Sequence, residues 1–511
     1  MASKSSNKPA AGRTKNSSSK SAANSSPATP KNFIDRFFKI TERGSTIGTE
    51  IRGGLATFFT MSYIIVLNPI ILGNVPDGTG AFLGGDPANN SAVIAATTAL
   101  VAGLMSILMG VVANFPLALA AGLGLNAVVA FSIASLPGMT WADAMGIVVL
   151  EGLLILILVL TGFRTAVFRA IPRSIKTAIS VGIGLFIALI GMVNAGFVRA
   201  TSNPSPPLEL GIAGSLSSWP IFVFVVGLLL ALVLMVRKVK GAILISIVVT
   251  TVIAIIVEAV GKVGSQYTDD GIDANGWQSN VPTVPDAVVA TPDFSLLGQF
   301  SLFGSVGKVG IIAVILLVFS IMLADFFDTM GTMVAVGAEA KLLDKEGNPP
   351  RTKQILIVDS IAAAAGGAAS VSSNTSYIES SAGVGDGART GFASVITGVA
   401  FLLATFLAPL VNIIPAEAAA PALVVVGFLM VTQVLDINWK SYEIGIPAFL
   451  TLAIMPFTYS ITAGIGAGII AWVVIQICVG KIRKIHPLMW VTGAMFIAYF
   501  LIGPIREAVG I

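Results

Sequence analysis

Apolar residues along this chain gather into blocks close to the length of a membrane span, following one another from residue 51 almost to the C-terminus. Seven fall near 51–73, 91–113, 116–133, 144–161, 174–195, 219–236 and 241–260. Seven more fall near 308–337, 354–370, 374–385, 389–413, 418–435, 442–458 and 461–480, and a further stretch occupies 487–505. About 20 apolar residues carry a helix across a bilayer, so the pattern predicts an all-α polytopic membrane protein. The block at 374–385 is the exception. It is too short and too polar to cross alone, holding Asn374, Thr375, Ser376, Glu379, Ser380 and Ser381. Ahead of the first block, residues 1–30 offer almost nothing to bury and read as a disordered basic tail, without the apolar run of a signal peptide. Residues 31–50 follow as a cytosolic segment. There Phe33, Ile34, Phe37, Phe38 and Ile40 among charges predict a short amphipathic helix on the membrane surface.

Composition sharpens this picture. Of 511 residues, 55% are apolar and 11% charged, against roughly 25% charged in soluble domains. Charges so sparse could not cover a soluble surface of this size. The single cysteine, Cys478, and the single histidine, His486, exclude an intrachain disulfide, a cysteine- or histidine-rich metal centre and a haem held by two histidines of this chain. No metal and no cofactor is expected. Residues 1–43 carry nine Lys/Arg against Asp35 and Glu42, a balance of +7 in a chain whose total is +4. A basic end of this kind satisfies the positive-inside rule and calls for no nucleic acid. If every block crosses, Arg164, Arg169, Arg173 and Lys176 fall on the N-terminal side, as do Arg237, Lys238, Lys240, Lys341, Lys345, Arg351 and Lys353. The 263–303 loop, with Asp269, Asp270, Asp273, Asp286 and Asp293, then falls outside. The N-terminus is therefore expected in the cytoplasm and the chain in the plasma membrane. Lys481, Arg483 and Lys484 follow the fourteenth block on the inner side, which leaves 487–505 as an extra element.

Seven blocks, an external loop and seven more blocks imply a duplication whose second half is inverted. Residues 55–60 read LATFFT and residues 323–328 read LADFFD, identical at four of six positions, with Thr57 and Thr60 replaced by Asp325 and Asp328. Ile171 and Pro172 before the fifth block are echoed by Ile414 and Pro415 before the twelfth. Inverted repeats of this kind place a substrate near the bilayer midplane, between broken helices from both halves.

A charged residue at the centre of a membrane helix costs about 2.5–3.5 kcal/mol on insertion scales, so each needs a reason. Asp325 and Asp328 lie three apart on one face of the eighth block, Glu379 lies in the short tenth, and apart from Lys308 at the very edge of the eighth no lysine or arginine shares those blocks. Structural polar residues in spans are usually Ser, Thr or Asn. Three acids therefore point to a water-lined site that can take up a proton. Glu151 and Asp359, lone acids nearer block ends, read as structural. Small-residue stretches precede Asn126 in the third block and Glu379 in the tenth, and these two blocks are equivalent under the duplication. Extended backbone at membrane depth is tolerated where it lines a cavity. Asn126 fits that cavity or, equally, a helix–helix hydrogen bond. An amide and carboxylates without a fixed cation suit a neutral ligand with alternating donors and acceptors, since Asn can pair two-pronged with an adenine edge and a carboxylate accepts from N–H groups. Phe58, Phe59, Phe326, Phe327 and Tyr377 are available to cover a flat ring, although membrane aromatics more often pack.

The stretches LATFFTMSYIIVLNP at 55–69, GLGLNA at 122–127, ADFFDTMGT at 324–332, AEAKLLDKEGN at 338–348 and SYIESSAG at 376–383 resemble the AzgA-type purine permeases. These are the adenine/guanine/hypoxanthine branch of the nucleobase:cation symporter-2 family. The resemblance implies the uracil-permease-like fold: fourteen spans in two inverted repeats, with short antiparallel strands in spans three and ten that meet at the substrate. It implies a core domain (51–170 and 304–413) and a gate domain (171–262 and 414–480) joined by the external loop 263–303, with 481–511 as a hydrophobic C-terminal segment. By matching, Asp328 and Glu379 hold the base and couple the proton. Asn126, Asp325, Thr57, Thr60 and Ile378 complete the substrate-binding set. The implied activity is purine uptake by proton symport through an elevator-like movement, in a protein that forms homodimers and is not an enzyme. The 487–505 stretch exceeds the fourteen-span plan.

One rival class is an intramembrane aspartyl protease, since residues 383–386 read GVGD and 421–423 read PAL. Both patterns are short and built of common membrane residues, and such proteases have about nine spans and no inverted repeat. A channel is the other rival, but titratable acids on broken helices suit a carrier better than an open pore.

Overall fold

The computed structural model describes residues 32–87, 90–161, 172–201, 207–268, 271–284, 287–345 and 348–501. The 1–30 tail, Arg164, Arg169, Ile171, Asp269, Asp270, Asp286 and residues 502–505 of the last stretch lie outside them. The amphipathic segment forms a helix at Phe33–Phe38, capped by Asn32, with Phe33 and Phe37 exposed and Phe38 buried.

Among the described residues, ten helices are long and apolar enough to cross a membrane. They are span one (Ile47–Gly73), two (Ser91–Ala113), four (Trp141–Thr161), five (Arg173–Asn194), six (Trp219–Val236), seven (Ala242–Gly261), eight (Ile311–Glu339), eleven (Gly391–Ile413), twelve (Ala416–Asp436) and fourteen (Ile461–Cys478). Span nine (Thr352–Ala368) and span thirteen (Tyr442–Thr458) are shorter helices. Span three is a strand, Leu119–Ala121, followed by a helix, Leu123–Ala134. Span ten is a strand, Asn374–Ser376, followed by a short helix, Ser380–Gly385. The expected all-α fold with strands in spans three and ten is what forms. Span one is two helices end to end, Ile47–Met61 and Ile64–Gly73, interrupted at Ser62 and Tyr63.

Spans one to four pack with spans eight to eleven, and spans five to seven pack with spans twelve to fourteen. Glycine lets the backbones approach. A Cβ on Gly184 of span five would lie 2.8 Å from the carbonyl oxygen of Gly427 on span twelve, and a Cβ on Gly427 would strike Gly184 in turn. Each glycine stands twelve residues after a proline, Pro172 or Pro415, at the head of its span. Equivalent positions of the two repeats therefore touch each other, as they must where a pseudo-two-fold axis passes between equivalent helices.

The 263–303 loop straps the two groups together. Near its start, Gln278 N–H donates to Glu417 Oε1 (2.9 Å) and Ser279 Oγ accepts from Ala416 N–H (3.0 Å), both at the head of span twelve. Further on, Gly298 N–H reaches Ala368 O (2.8 Å) on span nine and Ser301 N–H reaches Ala142 O (2.8 Å) on span four. The extra apolar stretch forms the helix Pro487–Phe500, which lies on span fourteen and touches span eight. Its Phe496 and Phe500 fill the space left by Gly466.

Candidate substrate site

The two strands pair antiparallel across the middle of the first helix group, Leu119 opposite Ser376, Ala120 opposite Thr375 and Ala121 opposite Asn374. Gly122 N–H to Ser373 O (3.0 Å) and Tyr377 N–H to Ala118 O (3.0 Å) extend the ladder at both ends. Three residues each leave most strand backbone groups in need of partners, and hydroxyls supply them. Leu119 N–H donates to Ser106 Oγ (2.9 Å), Ala118 N–H to Ser380 Oγ (2.9 Å) and Leu117 N–H to Ser394 Oγ (2.8 Å). Tyr377 donates its hydroxyl to Ala121 O (2.5 Å), which spends this aromatic on the strand pair. The extended small-residue backbone is thus satisfied by neighbouring spans, and a short helix leaves it on either side.

The acids sort into two environments. Asp328 is exposed on span eight, Glu379 is half-buried at the end of span ten's strand, and Ile378 beside it is 46% exposed. Asp325, one turn before Asp328, is fully buried, and among the described residues neither of its carboxyl oxygens makes a well-formed hydrogen bond. It faces the carboxyl group of Glu151 from span four, whose Oε2 accepts from Ser373 Oγ (3.2 Å) while Oε1 has no donor. Asp359, also buried, is satisfied by two hydroxyls, Thr329 Oγ1 (2.8 Å) and Ser376 Oγ (2.8 Å). Asp359 and Glu151 therefore brace the span-ten strand from behind, while Asp328 and Glu379 stand at its open side. None of the ion pairs Lys39–Glu42, Lys240–Asp386, Lys308–Asp143 and Lys481–Glu443 involves these acids.

Span one closes the site on another side. Thr60 Oγ1 donates to Ala56 O and Thr57 O (both 2.9 Å) and lies 3.4 Å from Glu379 O. Thr57 is buried against Gly383 of the short helix. Tyr63 donates its hydroxyl to Glu379 Oε1. Asn126 is fully buried, its Nδ2 donating to Asn68 Oδ1 (2.7 Å) and its Oδ1 lacking a donor among the described residues. The structure thus gathers Thr60, Asp328, Ile378 and Glu379 at the open face, with Thr57 behind Thr60. Asn126 and Asp325 it sets deeper. A cavity of about 370 Å³ between span one and span seven is lined by Arg52, Leu55, Phe59, Lys240, Leu244 and Asp386, and the acids of the site are not among its lining residues. Phe58 and Phe326 are packed away: Phe58 lies edge-on to Phe401, and Phe326 is buried.

Residues 48–467 match the Permease family, Xan_ur_permease. The chain belongs to this permease family. It is 38% identical to the guanine/hypoxanthine permease PbuG of Bacillus subtilis over 467 residues, 91% of this chain and 99% of that one. It is also 38% identical to the adenine permease AdeP of Escherichia coli, over 91% of this chain and 95% of that one. In fold it is similar to the transmembrane domain of a cyanobacterial bicarbonate transporter, BicA, with a TM-score of 0.57 at 14% identity, covering 82% of this chain and 97% of that one. The anion transporter SLC26A9 is a second such likeness, with a TM-score of 0.56 over 88% of this chain and 67% of that one. The protein is a multi-pass membrane permease, not an enzyme.

In this permease the GVGD and PAL stretches do packing work. Asp386 ends the Ser380–Gly385 helix and pairs with Lys240, and Pro421 lies inside span twelve against Gly227. Sequence reasoning passed over Tyr63 and Asn68. Both stand in the 55–69 stretch that carries the resemblance, but an aromatic and an amide in an apolar run read as packing. The break at Ser62 and Tyr63 has no proline or glycine to announce it.

Proposed function

We propose that this permease imports purine nucleobases (adenine, hypoxanthine and guanine) together with protons. The core, spans one to four and eight to eleven, moves like an elevator against the gate, spans five to seven and twelve to fourteen. The observation that carries this reading is the placement of Asp328 and Glu379. They are open carboxyl groups on adjoining segments of the core, with neither in an observed ion pair, beside a strand pair fixed by its own hydrogen bonds. Carboxyl groups in such a place accept the N–H groups of a base and carry a proton. The similar permeases PbuG and AdeP bear purine names, which supports the substrate class. Asn126, Asp325, Thr57, Thr60 and Ile378 complete the proposed binding set, Asn126 and Asp325 from below. The chain works in the plasma membrane with its N-terminus in the cytoplasm, as a homodimer and without a cofactor.

The test is uptake of labelled adenine, hypoxanthine, guanine and uracil in cells lacking their own base permeases, with and without a protonophore. Saturable purine uptake that collapses with the protonophore is the expected result. Uptake that ignores the protonophore removes proton coupling, and no uptake of any base removes the purine reading.

A further inference from the structure

We propose that Tyr63 is a positioning residue of the substrate site, holding the Glu379 carboxyl group in the one orientation that meets the base; this rests on the purine reading above. Tyr63 is 1% exposed and sits at the interruption of span one, between the Ile47–Met61 and Ile64–Gly73 helices. The interruption turns its ring across to span ten, where its hydroxyl donates to Glu379 Oε1. One turn earlier, Thr60 Oγ1 lies 3.4 Å from the carbonyl oxygen of the same glutamate. Earlier again, Gly53 meets Gly383 with no room for a Cβ on either, which clamps span one to the short helix that follows Glu379. A single face of span one thus grips Glu379 by its backbone and by one carboxyl oxygen.

The consequence is chemical. A glutamate has three side-chain torsions to fix, and a half-buried one that must wait for a ligand loses that freedom on binding. The Tyr63 hydroxyl fixes it beforehand. It also takes Oε1 as an acceptor, so Oε2 is the atom left for an N–H of the base. A phenol is suited to this because it donates without adding charge, where a lysine would neutralise the acid. The titratable groups around Glu379 are Tyr63 from span one, Asp328 from span eight and Tyr377 from its own segment. Tyr377 spends its hydroxyl on Ala121 O, so Tyr63 is the phenol that serves the acid.

The experiment is equilibrium binding of labelled adenine and hypoxanthine to the purified full chain between pH 5 and pH 8, with thermal unfolding of the ligand-free protein alongside. Tyr63→Phe is expected to raise Kd about three- to tenfold, to alter the pH dependence of binding, and to leave ligand-free unfolding near that of the wild type. A 3-fluorotyrosine placed at Tyr63 keeps the shape and strengthens the donor, and is expected to displace the pH profile in the opposite sense. Wild-type Kd and pH profile in both proteins would overturn the role of Tyr63 while leaving purine transport standing. If Tyr63→Phe fails to fold, the fluorinated protein decides alone. No purine binding by the wild type would overturn the purine reading and this proposal with it.

Discussion

Glu151 of span four and Asp325 of span eight meet carboxyl to carboxyl in the interior of the first helix group, both fully buried. Two like charges that close cannot both persist away from water, so the pair is built to be neutralised or bridged rather than left ionised. Replacing Glu151 by Gln turns one carboxyl into an amide donor for Asp325 and is expected to leave folding intact. Glu151→Ala strands Asp325 without a partner and removes the acceptor of Ser373. It is expected to cost about 1–3 kcal/mol, the penalty of leaving a buried polar group unmatched. Unfolding temperatures in detergent compare the two, and equal stability of both variants would show that the contact carries little.

Asp328 and Glu379 should behave differently from that pair. Asp328→Asn and Glu379→Gln are expected to abolish purine uptake while the protein still reaches the membrane in normal amount, because both groups are open rather than bracing. Uptake and surface quantity measured together check this. Near-normal transport in either variant removes that residue from the site.

Asn126 tests depth. Among the described residues no donor reaches its Oδ1, while its Nδ2 donates to Asn68. Asn126→Ala is expected to weaken purine binding by about 1–3 kcal/mol, the worth of a buried polar group left unmatched. Adenine and hypoxanthine should suffer unequally, since they present different hydrogen-bonding groups on the ring. An equal loss for every purine assigns Asn126 to the strand scaffold instead.

Lys240 and Asp386 join span seven's approach to the end of span ten, beside the cavity that both help to line. With Cys478→Ser in place, a short bis-methanethiosulfonate cross-linker, which joins Lys240→Cys and Asp386→Cys through mixed disulfides, is expected to stop uptake, and reductant to restore it. Full transport in the cross-linked protein would exclude sliding of the two groups at this point.

Outside the spans, Asp77 ties the 77–81 turn to the head of span four. Burial pushes its carboxyl up, but the Thr79 hydroxyl (2.7 Å) and the N–H groups of Thr79 (2.9 Å), Ala81 (3.0 Å) and Trp141 (3.1 Å) outweigh that and hold it below the ordinary 3.8. Its contribution to stability is therefore full above about pH 4 and is lost as the pH falls through the depressed folded value. Asp77→Ala is expected to cost about 1.5–3 kcal/mol at neutral pH, and the difference from wild type should shrink in acid. A difference independent of pH would assign the loss to packing.

The spans were legible because lipid imposes a length and a polarity on each, and the acids of the proposed site stood out because a charge in such a block is costly. Short strands were legible only through resemblance. Three residues of small side chains have no periodicity, and what makes them strands is each other together with Ser106, Ser380 and Ser394. The separation of Asp325 from Asp328 was not legible at all. Three residues along a helix differ in direction by about 60°, close enough to count as one face, yet that angle sends one acid to Glu151 and the other into the open. Tyr63 was hidden for a similar reason, since a tyrosine in an apolar run betrays its hydroxyl's partner only once span ten is folded beside it.

The contact of Gly184 with Gly427 bears on how such a chain came to exist. In a seven-span ancestor that paired with an upside-down copy of itself, these would have been one residue meeting its own twin, and one codon would have governed both sides of the seam. A fusion of two such copies would have split that control. Each glycine is now inherited separately, and either can be lost alone, while the seam still needs both.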